Sequence, residues 1–304
     1  MREKAGSLSP KIKTRKVTSP VMARELLASA GVRPSTTRGQ NFLIDENVLG
    51  VIERAAGLSP ADVVVEVGAG LGALTGLLVE RCGKVYAIES DSRLTGILES
   101  TLGGAENLVL VHCDAMRLDL ESLWTREKPA RVKMVSNLPY RVAATLVVDW
   151  LIAYPVVADY TVMVQREVAA RMTAAPGGKD YSAATAKIAY RAEARKVASV
   201  SRNSFYPRPR VDSAIVHLRR HDAGDGEGRP RARDERHFDL VVTAAFAQRR
   251  KKLSNSLASC PGLCVDASTV FESLAALGKD PDSRAENLSP TDYASLSDSL
   301  GGGL

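Results

Sequence analysis

The stretch Val63-Val64-Val65-Glu66-Val67-Gly68-Ala69-Gly70-Leu71-Gly72 decides the fold. A short β-rich run passes into three glycines at alternate positions, and Ala73 to Arg81 follows with the pattern of an amphipathic helix. This strand, glycine turn and helix are typical of the first unit of a doubly wound parallel sheet. Glycines there let the backbone approach a ligand closely. The loop alone is compatible with a dinucleotide, with S-adenosylmethionine or with a tight structural turn.

Six more strands are predicted downstream, with helices in most of the intervals. They are Lys84 to Ile88, Leu108 to Cys113, Val132 to Val135, Tyr160 to Val164, Lys196 to Val200 and Ala214 to Leu218. Because the first strands are nearly all apolar, we expect an α/β fold: a parallel, Rossmann-like sheet covered on both faces. No long crossover separates the last two strands, which allows an antiparallel edge strand.

Composition divides the chain into four predicted segments. Residues 1–19 are basic and poor in apolar side chains, which predicts a disordered tail. Residues 20–221 form the Rossmann-like domain, and residues 222–235 are a linker rich in glycine and charge. Residues 236–304 have a helical pattern and form a small α-helical C-terminal domain, beginning with a helix from about Arg236 to Ser256.

Polar side chains follow the predicted strands at the points where they end. Glu89 and Asp114 end the second and third strands, and Asn137 follows the fourth. Ligands of doubly wound sheets bind at the carboxyl edge, where we expect these side chains and Gly68 to line up. Glu89 is placed to accept hydrogen bonds from ribose hydroxyls, and Asp114 from an adenine amino group. Each acid taken alone has the simpler interpretation of a helix N-cap.

The turn Asn137-Leu138-Pro139-Tyr140 brings an amide, a rigid proline and an aromatic ring to one strand end. These groups suit an exocyclic amine on a flat base, because the amide oxygen and backbone carbonyls accept its N–H groups while the ring stacks. An ordinary strand-to-helix turn is the plainer interpretation. A nicotinamide cofactor would explain the glycine loop and Glu89, but not this turn.

The charge is distributed unevenly along the chain. Residues 1–40 carry nine Lys and Arg against two acids, and residues 191–252 carry sixteen against eight. Two basic blocks beside a mildly acidic middle predict a polyanionic partner. Solvated surface is the alternative. The candidates for phosphate contact are Arg208, Arg210, Arg249, Arg250, Lys251 and Lys252.

Other classes of protein are disfavoured by composition and spacing. The four cysteines and four histidines have no metal-ligand spacing, so we expect no metal and no disulfide. No apolar run reaches the roughly 20 residues of a membrane span. The basic N-terminus lacks the apolar region of a secretory signal, which predicts a cytoplasmic protein.

These motifs resemble those of the KsgA/Dim family of small-subunit rRNA adenine N6-dimethyltransferases over roughly residues 38–290. The matching segments are Gly39-Gln-Asn-Phe-Leu43, the glycine loop from Glu66, Glu89, Asp114-Ala115, Asn137-Leu-Pro-Tyr140, Phe205-Tyr-Pro-Arg-Pro-Arg-Val-Asp-Ser213 and Phe246-Ala-Gln-Arg-Arg-Lys-Lys252. Residues 1–20 and the linker have no counterpart.

The resemblance implies a Rossmann-like methyltransferase domain that binds S-adenosylmethionine and dimethylates 16S rRNA in the 30S subunit or its precursor, acting as a monomer. The implied donor contacts are Asn41, Leu43, Gly68, Gly70, Glu89, Asp114, Ala115 and Asn137. The implied catalytic residues are Asn137, Leu138, Pro139 and Tyr140, and Phe205 is the candidate for stacking on the second face of the base.

Four alternatives remain open at this point, and eukaryotic mitochondrial relatives that double as transcription factors are the most distant of them. The 23S rRNA methyltransferases of macrolide resistance share the fold and most motifs, although Leu138 and Val211-Asp212-Ser213 fit the small-subunit branch better. An rRNA-binding assembly factor needs no chemistry. An NAD-dependent oxidoreductase would be indifferent to RNA.

Overall fold

The computed structural model describes residues 17–35, 39–124, 128–221 and 231–301. Residues 1–16 of the predicted tail and residues 222–230 of the predicted linker lie outside this range, so those two predictions stay untested.

The described residues form nine strands and eleven α-helices. The strands are β1 (Phe42–Leu43), β2 (Val63–Val67), β3 (Lys84–Glu89), β4 (Leu108–His112), β5 (Val132–Asn137), β6 (Val157–Gln165), β7 (Ala192–Val200), β8 (Phe205–Tyr206) and β9 (Ser213–Arg220). The helices are α1 (Pro20–Ser29), α2 (Glu46–Ala56), α3 (Ala73–Arg81), α4 (Ser92–Leu102), α5 (Ala143–Ala153), α6 (Arg166–Met172), α7 (Ala183–Arg191), α8 (Glu235–Ala247), α9 (Leu253–Ala258), α10 (Ala267–Ala276) and α11 (Pro290–Leu300).

The strands of a mixed seven-stranded sheet are divided between two compact units of the chain. Unit 1 comprises residues 1–139 and 200–210, and unit 2 comprises residues 140–199 and 211–304. Unit 1 holds four parallel strands in the order β4-β3-β2-β5. In unit 2, β9 lies between β6 and β7 and pairs antiparallel with β6. The predicted α/β class and the parallel first strands are confirmed. An antiparallel strand is also present, but it is β9, which lies between β6 and β7 and not at the sheet edge as expected.

The core of unit 1 forms around β2, whose Val64 and Val65 are fully buried. Its register with β3 runs from Val63 opposite Lys84 to Val67 opposite Ile88, so both strands end together at one edge. The carboxyl ends of these strands therefore place the glycine loop and Glu89 at the same sheet edge.

The C-terminal part of unit 2 is helical, as predicted, but the prediction of one first helix from Arg236 to Ser256 is wrong. Helix α8 ends at Ala247 and α9 begins at Leu253. The Leu253 N–H donates to the Ser283 carbonyl at 2.9 Å instead of continuing a helix ladder. This break buries Leu253 and Leu257 completely and leaves Arg249 to Lys252 in the connecting turn.

Helices among the described residues are too short or too polar to cross a bilayer. Within the same residues, no three His, Cys, Asp or Glu side chains are grouped so that they could hold a metal ion.

Candidate active site

The glycine loop after β2 has a backbone that other residues rarely adopt. Gly68 and Gly70 have φ angles of 79° and 58°. A Cβ on Gly68 would lie 3.3 Å from Cγ and Cδ of Pro139, and one on Gly70 would lie 3.0 Å from the Phe42 ring. The loop is therefore packed closely between the Asn-Leu-Pro turn and the segment that carries Asn41.

Glu89 supports this loop from the end of β3. Its Oε2 accepts the Gly70 N–H at 2.9 Å, and its Oε1 accepts the N–H groups of Ser90 and Asp91 at 2.8 and 2.9 Å. A carboxylate has about four acceptor positions, so one on Oε2 is left for a ligand hydroxyl. Our sequence interpretation gave Glu89 a ribose contact alone, which stays a prediction. The structure shows in addition that Glu89 supports the backbone of the glycine loop.

Glu66 is a buried acid that the sequence motif contains but to which we gave no role. It is 1% exposed, and no described residue hydrogen-bonds its Oε2. Burial raises the pKa of Glu66 to about 8, and the negative charge of Glu89 adds to the rise while the Thr75 hydroxyl opposes it. Glu66 is therefore mostly protonated at pH 7.

Replacing Glu66 with glutamine is expected to stabilise the protein increasingly as the pH rises. Between the ordinary pKa of 4.5 and about 8, the unfolded chain releases the Glu66 proton but the folded chain keeps it, so rising pH favours unfolding. E66Q removes this dependence. The gain in free energy of unfolding over wild type should grow from near zero at pH 4 to ~2–4 kcal/mol at pH 8.

Urea unfolding at pH 4, 6 and 8 measures that gain. The exposed acid Glu99 supplies a matched control, because E99Q makes the same change of side chain at the surface. An E66Q variant with the wild-type pH dependence would mean that Glu66 is ionised in the folded protein.

Asn137 ends β5 with its amide held in one orientation. Its Nδ2 donates to the Asn41 carbonyl at 3.3 Å, and a carbonyl can only accept. The amide oxygen therefore points to the other side, where no described residue donates to it. Ser136, just before, accepts the Val67 N–H at 2.9 Å through its hydroxyl and fixes the tip of β5 against the tip of β2. Our sequence analysis gave Ser136 no role, although a polar serine within a β-branched run indicated one.

Two segments far apart in sequence hold Asn41 and Leu43. Strand β1 pairs antiparallel with β8, with Leu43 opposite Phe205. The Asp45 carboxylate caps α2 by accepting the Asn47 N–H and also accepts the Ser204 hydroxyl at 2.7 Å. Asp45 therefore joins the start of α2 to the segment that precedes β8.

The remaining donor candidates lie after β4. Oδ1 of the exposed Asp114 accepts the Met116 N–H at 3.0 Å, which closes a tight turn around the half-buried Ala115. No described group bonds its second oxygen, which leaves that oxygen for a ligand. The adenine contact itself stays a prediction.

The two aromatic candidates have different environments. Tyr140 is half-buried, and its hydroxyl lies 2.8 Å from the Ser213 hydroxyl within unit 2. Burial raises the pKa of Tyr140, so its phenol is neutral at pH 7. Phe205, in unit 1, is only 3% exposed and offers little ring surface as it stands. Stacking by either ring stays a prediction. Leu138 is 1% exposed, which anchors the turn.

All six candidates for phosphate contact are exposed. Within unit 2, Arg249 donates to the Lys179 carbonyl and pairs with Glu286, and Lys252 pairs with Asp282 at 2.7 Å. Arg250 and Lys251 have no side-chain partner among the described residues. In unit 1, the side chains of Arg208 and Arg210 likewise have none there.

Comparison with known proteins gives one consistent family. Residues 33–300 match the family described as "Ribosomal RNA adenine dimethylase". The ribosomal RNA small subunit methyltransferase A of Moorella thermoacetica is 41% identical over 93% of this chain and 98% of its own length. The protein of the same name from Streptomyces avermitilis is 40% identical over 93% of both chains.

Solved structures agree on the fold. A dimethyladenosine transferase from Plasmodium falciparum superposes with a TM-score of 0.67 at 26% identity, covering 84% of this chain and 95% of its own. The 23S rRNA methyltransferase ErmE superposes with a TM-score of 0.60 at 28% identity, covering 86% of this chain and all of its own. The mixed sheet with its helical C-terminal region is thus a Rossmann-like methyltransferase fold.

Proposed function

We propose the following reaction for this chain, which belongs to the ribosomal RNA adenine dimethylase family: it dimethylates N6 of two adjacent adenines in the 3′-terminal hairpin loop of 16S rRNA. The methyl donor is S-adenosylmethionine, and the reaction serves small-subunit biogenesis. The observation that carries the choice of RNA is the identity of about 40% over nearly the whole length with ribosomal RNA small subunit methyltransferases.

The residues at the edge of unit 1 fit S-adenosylmethionine. Gly68 and Gly70 leave a cradle in the backbone that a Cβ would fill. Around it lie acceptors that protein groups leave open: the second oxygen of Asp114, one position on Glu89 and the amide oxygen of Asn137. We propose that Asp114 and Ala115 hold the adenine, that Glu89 holds the ribose, and that Asn41, Leu43 and Gly68 hold the remainder.

The chain's own contribution to catalysis is to orient and polarise the target amine. Its lone pair is delocalised into the purine ring, which makes N6 a poor nucleophile. In the proposal, the Asn137 side-chain oxygen and the Leu138 carbonyl accept the two N–H groups and favour a pyramidal, localised lone pair. A bound donor would supply a methyl group on a cationic sulfur, and the C–S bond would break, leaving a neutral thioether, as the N6–C bond forms. The proton that N6 then loses goes to solvent, so no dedicated general base is needed.

Reaching N6 requires the base to leave its stack, which costs a few kcal/mol and less in a loop. We propose that stacking on the Tyr140 ring offsets ~1–3 kcal/mol of this unstacking cost. For Phe205 to do the same, its buried ring must become accessible when RNA binds.

The proposed RNA contacts differ in whether they already pair with an acidic side chain of the protein. Arg250 and Lys251 have charges that no described acid neutralises, whereas Arg249 and Lys252 already pair with Glu286 and Asp282. A cation that must break an ion pair gains less from a phosphate. We therefore propose that Arg250 and Lys251 contribute more to RNA affinity than their two neighbours, with Arg208 and Arg210 as further contacts.

Changing Arg250 and Lys251 together to alanine is expected to reduce the salt dependence of RNA binding. Each lost phosphate contact on folded RNA should lower the slope of log K against log salt by ~0.7–0.9, so the double variant loses ~1.5. R249A/K252A carries the same change in charge and should lose less than half as much. Filter binding at several salt concentrations measures both slopes. An unchanged slope in R250A/K251A would remove this pair from the interface.

Radiolabelled methyl transfer to isolated 30S and 50S particles, followed by mapping of the modified base, tests the proposed function. We expect label on two adjacent adenines of the 30S RNA. Label on 50S particles would support the macrolide-resistance type instead, and tight binding without label would support an assembly factor. With this substrate the protein acts in the cytoplasm, and we propose that it does so as a monomer, which sedimentation can test.

A further inference from the structure

We propose that Ser213 is a positioning residue for methyl transfer, which acts by holding the hydroxyl of Tyr140 and so the position of the ring that stacks on the target adenine. This inference rests on the proposed function. Its basis is the 2.8 Å contact between the Tyr140 and Ser213 hydroxyls. In the sequence, Ser213 stands at the end of a motif with no indication of a role.

Ser213 is a fixed point within unit 2. It is the first residue of β9, is completely buried, and lies opposite Gln165 in the antiparallel register with β6. The carbonyl of Asp212, the residue before it, accepts the Arg166 N–H at 3.0 Å. Because the backbone is held on both sides of the serine, its side-chain oxygen has little freedom to move.

Tyr140 needs such a support. It follows Pro139 at the end of a turn, before α5 begins at Ala143, so regular secondary structure does not hold its ring. No other group among the described residues hydrogen-bonds its hydroxyl. A single bond at the far end of the ring fixes the direction of the ring axis, which is set by χ1. Because a phenolic O–H prefers to lie in the ring plane, the same bond also favours one rotation about that axis, and stacking depends on both.

The neutral state of the phenol matters to this contact. Burial raises the pKa of Tyr140, so the hydroxyl keeps its proton at pH 7 and either hydroxyl can donate to the other. If the bond were lost, the phenol would turn towards water and the ring would sample orientations that do not stack. The loss should therefore appear in the chemical step on bound RNA rather than in donor binding.

A double-mutant cycle tests the inference. Y140F and S213A should each lower kcat on 30S particles about three- to tenfold, the range expected for one hydrogen bond, with little change in KM for the particle or in donor Kd. The double variant should be no slower than the slower single variant, because both changes remove the same contact. S213T keeps the hydroxyl and should recover most of kcat, whereas S213C, close to serine in size, should behave as S213A.

Controls separate positioning from folding and from the proposed function. S297A removes another buried serine of unit 2, whose hydroxyl lies 2.9 Å from His237 Nδ1, and should lower Tm without lowering kcat. Two results would overturn the inference, provided that the wild type methylates 30S RNA. One is a double variant whose loss of kcat equals the product of the two single losses, and the other is an S213A variant with wild-type kcat. Y140F, whose half-exposed position tolerates the loss of a hydroxyl, keeps the test valid if S213A fails to fold. An inactive wild type would instead contradict the proposed function.

Discussion

Replacing Asn137 with alanine is expected to lower kcat for methyl transfer to 30S particles by ~100- to 1,000-fold, the usual effect of removing one polar group aimed at charge in a transition state. N6 becomes positively charged as the methyl group arrives, and an oxygen that accepts its N–H stabilises that charge. The Asn137 amide nitrogen is engaged by the Asn41 carbonyl, so the oxygen is already oriented before any substrate binds. The alanine variant loses this oxygen without adding bulk.

Single-turnover assays with saturating RNA isolate the chemical step, and calorimetry with S-adenosylmethionine measures the donor Kd separately. The exposed Asn203 offers a matched control, because N203A deletes an equivalent amide elsewhere in unit 1 and should leave kcat unchanged. N137A should still bind small-subunit particles. Wild-type rates in N137A would contradict the mechanism, and intact biological function in an inactive N137A would favour an assembly role.

The elements whose bounds the sequence predicts correctly are those that neighbouring residues determine by themselves. β2 and α3 have the predicted bounds because a valine run, three glycines and an amphipathic helix succeed one another without ambiguity. The Asp45 cap is equally local. Strand β7 begins at Ala192, four residues before the predicted Lys196, because pairing within a sheet extended a segment whose own pattern is weak.

Other features depend on partners that lie far away in the sequence. The pairing of β1 with β8 joins two-residue segments about 160 positions apart, and nothing in either segment indicates it. The break between α8 and α9 is set by Ser283, which accepts the Leu253 N–H. Glu89 was identified as a site residue, but its support of the loop depends on the backbone of Gly70, which composition does not reveal.

The second large effect is expected at Gly68, where G68A should weaken S-adenosylmethionine binding by about 10- to 100-fold. The φ angle of 79° costs an alanine ~1–2 kcal/mol, and its methyl group would lie 3.3 Å from two carbons of the Pro139 ring. To relieve this close contact, either the glycine loop or the Asn-Leu-Pro turn must shift. Because both are proposed to line the donor site, the same shift should also lower kcat.

The chain contains a matched control in Gly96, which lies inside α4 and where an added Cβ would meet no atom within 4 Å. G96A should leave donor binding unchanged and should raise the free energy of unfolding by ~0.5–1 kcal/mol, since alanine favours helix over glycine. Calorimetry of the donor and urea unfolding of both variants measure the contrast. If G68A bound the donor as tightly as G96A does, the close approach of loop and turn would have no part in holding the donor, and the proposed cradle would have to be assigned to other residues.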